Sequence, residues 1–451
     1  MTKAKKSVIL SLFLWGSGQF FICKQRLKGL LFFLIQASVI AIELSTGYWI
    51  EWMMGMVSDF QMRLHAGFFT KGIWGIITLG DVRGAKVGDH SMMLMITGII
   101  VCILLGIIGL VYIGNIVDAY KSAQYIDKTN NYKSSKETLK EFYEKRFAYI
   151  ILAPVVLLVL FVTVMPMIFS ILTAFTNYTK GNLPPANLID WVGIENFKKL
   201  FNVPIWSSTF FSVLGWTVIW TVCATLSCYF FGMIQALILN SSYVKCKKFF
   251  RTIQILPWVM PSMICLLVFR NIFNGQFGPL NQFLLESGLV SQRIPFLTDP
   301  TLAKLTVLGV NLWLGFGASM IMISGVLSNM DPSMYEAAKI DGATVWKEFR
   351  YITFPMLLKV TMPLLVMNFA GNFNNFGAVF FLTEGGPANP NYQFAGDTDI
   401  LISWIYKLTL DNQMYSMAAV MSILIFIVVG SVAYWNFKRT TAFKEVLSST
   451  L

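Results

Sequence analysis

Eight stretches of this 451-residue chain are apolar over a length that matches a lipid bilayer. A helix rises about 1.5 Å per residue, so a hydrocarbon layer of roughly 30 Å needs about 20 apolar residues. The stretches are 29–56, 92–119, 147–176, 208–238, 252–273, 302–328, 356–383 and 413–436. Within hydrocarbon every backbone N–H and C=O must be satisfied by protein, which leaves helices for segments of this length. The chain is read as an all-α membrane protein with about eight transmembrane helices. A ninth apolar run, 8–22, is shorter. Lys3, Lys5 and Lys6 precede it and Lys24, Arg26 and Lys28 follow it. Basic residues at both ends favour the cytoplasmic face for both, so this run is an additional interfacial or re-entrant N-terminal segment and not a span. It lacks a small-x-small cleavage pattern, so an uncleaved N-terminus is expected.

Composition supports that reading. Charged residues make up 13% of the chain, against about 25% in a soluble globular protein. The net charge of +12 could suggest nucleic acid, but its placement argues for ordinary membrane topology. With eight spans and a cytoplasmic N-terminus, both termini are cytoplasmic, and roughly two thirds of the 35 Lys and Arg then fall inside. No nucleic-acid partner is expected. The six cysteines, Cys23, Cys102, Cys223, Cys228, Cys246 and Cys265, include no CxxC pair. With only His65 and His90 besides, neither a disulfide framework nor a metal site is indicated.

Charge also divides the chain. The stretch 121–146 holds seven basic and four acidic residues and is read as a polar, partly helical cytoplasmic linker. Before it, 1–120 carries the N-terminal segment and two accessory spans. After it, 147–440 forms a six-helix block, followed by a cytoplasmic tail at 441–451.

One loop of that block, 331–355, carries a motif. Asp331 can cap a helix whose first residue is Pro332, and Ser333 with Glu336 offers an alternative capping box. Gly342 suits the left-handed position that ends the helix. Pro355 marks the start of the next span. The pattern Glu336-Ala337-Ala338, three residues, Gly342, nine residues, Ile352-x-Phe354-Pro355 resembles the EAA loop of binding-protein-dependent ABC importers. The departure is Phe354, where that family has Leu. The resemblance implies a type I ABC importer transmembrane domain. Glu336, Ala337, Ala338, Gly342, Ile352 and Pro355 then dock against an ATPase dimer whose closure on ATP rocks the bundle. The chain has no GxxxxGK[ST] phosphate loop. It is expected to be a transport subunit and not an enzyme, binding no cofactor itself, with ATP and Mg used by the partner ATPase.

What crosses the membrane is suggested by 368–376. Four asparagines and three phenylalanines in nine residues are costly in a span unless they line a cavity or pair with each other. Amides bond hydroxyls in either sense and aromatic faces stack on sugar rings, which suits a neutral polyhydroxylated solute. Helix–helix bonding by asparagine is the alternative. The runs Asn372–Phe376, Leu382–Pro387, Ile255–Trp258, Asn311–Gly315 and Asp397–Asp399 resemble the larger permease of the maltose type, over roughly 147–440. In that family sugar contacts come from stretches resembling 315–318 and 368–375. Gly315, Asn372 and Asn375 match; Asn368 replaces Ser, Gly371 replaces Phe and Ala318 replaces Tyr. The resemblance implies a wider pocket for a maltodextrin-like oligosaccharide or a bulkier glycan. It further implies a second homologous permease and an extracellular solute-binding (lipo)protein as partners, in the cell membrane. An ion-coupled sugar transporter is the rival reading, with Glu43 as its main acidic candidate.

Overall fold

A computed structural model describes residues 2–58, 65–81, 89–241 and 243–438. The expected tail 441–451 lies outside these described residues. Every regular element among them is helical, and the chain divides into two compact units, Met1–Gly193 and Ile194–Leu451. Residues 147–193 therefore belong by contact to the first unit.

The first unit begins with α1 (Lys3–Phe13), a π-turn at Gly18–Ile22, and α2 (Arg26–Thr46). The short α3 (Trp49–Met53) and α4 (Phe68–Thr78) follow. Then come α5 (Ser91–Thr129) and α6 (Ser135–Val159), the latter continuing through a π-turn at Leu160–Val164 into α7 (Met165–Thr173). The run 8–22 thus holds the end of α1 and the π-turn that follows it. The stretch 121–146 is more helical than its charge suggests: 130–134 are non-helical, and Arg146 marks a kink with non-helical backbone angles. Asn130 ends α5 in a left-handed conformation, and a capping box of Ser134 and Glu137 starts α6 at once.

Polar side chains fasten α1 and its turn to α5. Asn115 is fully buried; its Oδ1 accepts from the Gly16 N–H at 3.0 Å and its Nδ2 donates to the Ser11 carbonyl at 3.1 Å. The amide of Gln19, also fully buried, donates to the Asn115 carbonyl at 2.9 Å. Lys28 forms an ion pair with Asp118 beside it. Glu43, the acidic residue of the ion-coupled reading, instead caps α4: it accepts from the Phe69 N–H at 2.8 Å and from the Thr70 hydroxyl.

The second unit holds α8 (Glu195–Asn202), α9 (Pro204–Asn240), α10 (Lys247–Val259), α11 (Ser262–Ile272) and α12 (Pro279–Glu286). After α13 (Pro300–Ser328) come α14 (Pro332–Ile340) and α15 (Val345–Glu348). A π-turn at Phe349–Thr353 leads into α16 (Phe354–Phe373), then α17 (Phe376–Thr383), α18 (Leu401–Tyr406) and α19 (Tyr415–Phe437).

Among the described residues six continuous helical stretches are long and apolar enough to cross a membrane, and α10 with α11 makes a seventh, bent by 88°. The apolar α19 stands at the eighth expected position. Two expected spans are corrected: both are broken. The span 252–273 bends at Met260–Pro261, where proline offers no N–H and its ring excludes the preceding turn. The span 356–383 breaks at Asn374–Asn375, where Asn375 caps the second half by accepting from Ala378 N–H.

Two apolar layers form the core of this unit. Trp216, Trp220 and Ala224 of α9 pack with Val307 and Val310 of α13 and with Val379 and Leu382 of α17. Further along the same helices, Tyr229, Met233 and Ala236 pack with Met320, Ile323 and Leu327 and with Leu357 of α16.

In the first unit, Asn115→Leu should strand the buried Gly16 N–H and the Ser11 carbonyl, at about 1–3 kcal/mol for each unsatisfied group. A lower melting temperature and faster proteolysis at Lys24 or Arg26 are the expected readouts.

Candidate functional site

The two apolar layers leave a gap between them. On α9 it falls at Thr225 and Cys228, between Ala224 and Tyr229. On α13 it falls at Asn311, Gly315, Ala318 and Ser319, between Val310 and Met320. A cavity of about 280 Å³ fills this level, lined by Thr225, Cys228, Trp258, Asn311, Gly315, Ala318, Ser319, Met367, Asn368, Gly371, Asn372 and Asn375. Gly315, Ala318, Asn368, Gly371, Asn372 and Asn375, singled out from the sequence, all lie on its wall. A second cavity of about 300 Å³ adjoins it and shares Trp258, Asn311, Gly315 and Asn375.

Both broken spans end here. Trp258 sits at the α10–α11 bend, and Asn372 and Asn375 flank the α16–α17 break. A helix break strands backbone groups, which at membrane depth is tolerated where the chain lines a cavity or is bonded by neighbours. The break is served in that way. The Trp220 indole N–H donates to the Asn372 carbonyl at 3.0 Å, and the Asn372 amide donates to the Thr225 hydroxyl at 3.0 Å. The Asn375 amide donates to Asn311 Oδ1 at 3.4 Å. Asn372 and Asn375 thus join helices, as the alternative reading had it, while still facing the cavity. Among the described residues Asn368 has no hydrogen-bond partner for its amide and is exposed to the cavity.

The lining is neutral throughout: amides, hydroxyls, a thiol and apolar groups. Gly371 leaves open space where a side chain would stand, whereas a Cβ at Gly315 would meet Cys228 Sγ at 2.9 Å. Of the aromatic groups, Trp258 alone lines this cavity. Trp258, Thr225, Cys228, Ser319 and Met367 were not among the sequence candidates. Thr225 and Cys228 lie on α9, away from the candidate stretches, and no local spacing marks them, whereas Ser319 and Met367 adjoin Ala318 and Asn368, and Trp258 ends the Ile255–Trp258 run noted in the sequence.

The coupling candidates lie at one end of the same helices. Asp331 is the N-cap of α14, accepting from the Ser333 N–H at 2.9 Å, a bond that holds its carboxyl below the usual range. Gly342 has φ +76°, the left-handed turn expected of it. No residue of α14 is buried. Glu336, Ala337, Gly342 and Pro355 are exposed, and Ala338 and Ile352 are half-buried. Around them Ile340 (88% exposed), Val345 (81%), Tyr351 (75%) and Trp346 (67%) form an apolar surface beside a groove of about 640 Å³. The Tyr335 hydroxyl joins Thr353 Oγ1 at 3.0 Å, tying α14 to the π-turn that leads into α16. α16 then reaches the cavity at Met367–Asn372 without interruption. A second bond, Tyr229 to Thr361 at 2.9 Å, pins α16 to α9 on the way.

Heights along α9 order these parts. Trp216 donates to the Thr398 carbonyl in the segment after α17, and Leu237 lines the groove by Tyr335. Twenty-one residues of helix separate them by roughly 30 Å, about a bilayer core, with Thr225 and Cys228 near the middle.

A bundle of apolar helices with a mid-depth polar cavity and an exposed cap-and-turn loop defines a multi-pass membrane permease. A family model described as the binding-protein-dependent transport system inner membrane component matches residues 228–442. The galactooligosaccharides transport system permease protein GanP of Bacillus subtilis (strain 168) is 38% identical over 95% of this chain and 96% of its own length. The maltodextrin transport system permease protein MdxF of the same organism is 36% identical over 98% and 97%. A chain of a bacterial ABC transporter involved in the import of the acidic polysaccharide alginate shares the fold, with TM-score 0.54 and 24% identity over 66% of this chain and 96% of that one. The chain belongs to the binding-protein-dependent transport permeases.

Tyr335→Phe should release α14 from the Phe349–Thr353 turn at a cost of about 1 kcal/mol, the net value of one hydrogen bond. Trypsin should then cut faster at Lys339 and Lys347, with the melting temperature of the bundle nearly unchanged.

Proposed function

We propose that this chain is the translocating permease of an ATP-driven importer of neutral oligosaccharides, of the maltodextrin or galactooligosaccharide kind. The observation that carries the reading is a neutral, amide-rich cavity whose wall runs without interruption into the exposed Glu336–Pro355 loop. Hydroxyl groups of a sugar both donate and accept, and Asn368, Asn372, Asn375, Asn311 and Thr225 offer both. Trp258 offers a face for stacking on a sugar ring. A charged solute would find no counter-ion in this lining. The full-length relatives that carry oligosaccharides by name support the same class.

The chain supplies one half of the path, and a second homologous permease supplies the other. ATP and Mg are bound by a partner ATPase dimer, and an extracellular solute-binding protein delivers the sugar. In this arrangement both termini and the 331–355 loop face the cytoplasm. The apolar surface of Ile340, Val345 and Trp346 is the kind that a partner covers, and Glu336 beside it can pair with a basic residue there. When the ATPase closes, the loop moves, Tyr335 and the π-turn carry the displacement into α16, and the Asn368–Asn375 wall follows. A different glycan is the main alternative for the cargo. Ion coupling is disfavoured because Glu43, its acidic candidate, is engaged as a helix cap.

Two variants test the reading in the reconstituted complex. Glu336→Lys should lower sugar uptake at least tenfold while the sugar still binds, because the loop and not the cavity is altered; normal uptake with normal ATPase assembly would overturn the coupling role. Gly371→Phe with Ala318→Tyr should fill the open part of the cavity. Uptake of long oligosaccharides should then fall relative to disaccharides, whereas an unchanged size profile would remove this cavity from the path.

A further inference from the structure

The first unit has a feature that solute transport does not use. α1 runs along α5 and turns back beside α2. Its base is marked by the Ala4 N–H donating to Asp127 at 3.1 Å, and its tip by the Tyr112 hydroxyl donating to the Leu12 carbonyl at 3.1 Å. Fifteen residues of α5 separate these points, about 22 Å. The depth is set independently by α2, a membrane-long helix that begins at Arg26. At the tip the Trp15 N–H donates to Gln36 Oε1 at 2.9 Å, ten residues or about 15 Å into that helix. The hairpin therefore reaches about half of a 30 Å hydrocarbon layer.

The surface of the hairpin follows this depth. At the tip Phe13 is 82% exposed and Phe21 67%, which suits acyl chains. The turn is built for close packing: Gly16 has φ +77°, and a Cβ there would lie 2.0 Å from the Gly29 carbonyl oxygen of α2. At the base, on the side from which α2 starts, the chain gathers Lys3, Lys5, Lys6, Lys24 and Arg26. Lys3 and Lys24 approach the same Tyr132 ring, at 5.6 and 4.6 Å. Among the described residues none of these five forms an ion pair. The nearby carboxylates are engaged, Asp118 by Lys28 and Asp127 by the α1 N-terminus.

We propose that the base of this re-entrant hairpin is a binding surface for anionic phospholipid, whose phosphate headgroup lies among Lys3, Lys5, Lys6 and Lys24 while its acyl chains pass the Phe13 and Phe21 tip. The occupant is argued from charge and depth together. Unpaired cations at the level where a span begins face headgroups, and apolar groups one half-layer deeper face the tails. Each such basic residue adds about fivefold to binding at an anionic surface, and a locked hairpin holds several of them in one place.

The test uses the whole purified complex in detergent. It is titrated with phosphatidylglycerol and, separately, with phosphatidylcholine, and bound lipid is counted by native mass spectrometry. Phosphatidylglycerol should be retained at least tenfold more tightly. The variant Lys3→Gln, Lys5→Gln, Lys6→Gln, Lys24→Gln should lose that preference, and the matching Lys→Arg variant should keep it. Should the Gln variant not assemble, salt decides: raising NaCl from about 0.1 M to about 1 M, to a Debye length of about 3 Å, should weaken phosphatidylglycerol binding to the unaltered complex and leave phosphatidylcholine binding unchanged. Equal retention of the two lipids, a preference that survives the Gln substitutions, or a preference indifferent to salt would overturn the proposal.

Discussion

Polar backbone cannot be left unsatisfied in hydrocarbon, and the second unit departs from continuous helix under that constraint. Two of its spans are broken, at Met260–Pro261 and at Asn374–Asn375. Each break would be costly facing lipid. Here both face one cavity; at the second break the Trp220 indole donates to the Asn372 carbonyl, and the side-chain amides of Asn372 and Asn375 donate to Thr225 and Asn311. The polar cluster at 368–375 therefore has two tasks. It keeps the broken helix joined to α9 and α13, and it presents amides to whatever occupies the space.

The apolar layers on either side make the arrangement firm. Trp216 and Trp220 anchor one layer, and Tyr229 with Met320 and Ile323 anchors the other. Close-packed layers transmit displacement with little absorption. Regular α-helix is interrupted instead at the π-turn Phe349–Thr353, beside the 331–355 loop, and at the bend by Pro261, beside the cavity wall. α16 runs from the π-turn to the cavity, with Pro363 inside it.

The first unit solves a different problem. Its hairpin carries Ser11 and Gln19 fully buried against Asn115 of α5, and the three bond one another. Such a network specifies a single docked position, since any shift would strand several groups together. The basic residues at its base and the phenylalanines at its tip are thereby held at defined depths.

Much of this was legible in the residues. Segment length and apolarity marked each helical span, because hydrocarbon admits few other structures. The Asp331–Pro332 cap, the left-handed Gly342 and the Asn–Phe cluster could be read locally, because caps, turns and buried amides depend on neighbours in the chain. The structure brings all six residues proposed to contact solute to one wall. What only tertiary structure decided was where helices break and what meets the broken ends. Thr225 and Cys228 come from one turn of α9 and Trp258 from the end of the next helix, and Glu43 caps a helix that starts more than twenty residues later. Those roles depend on which surfaces pack together, and packing is set by the whole bundle and by no single stretch of sequence.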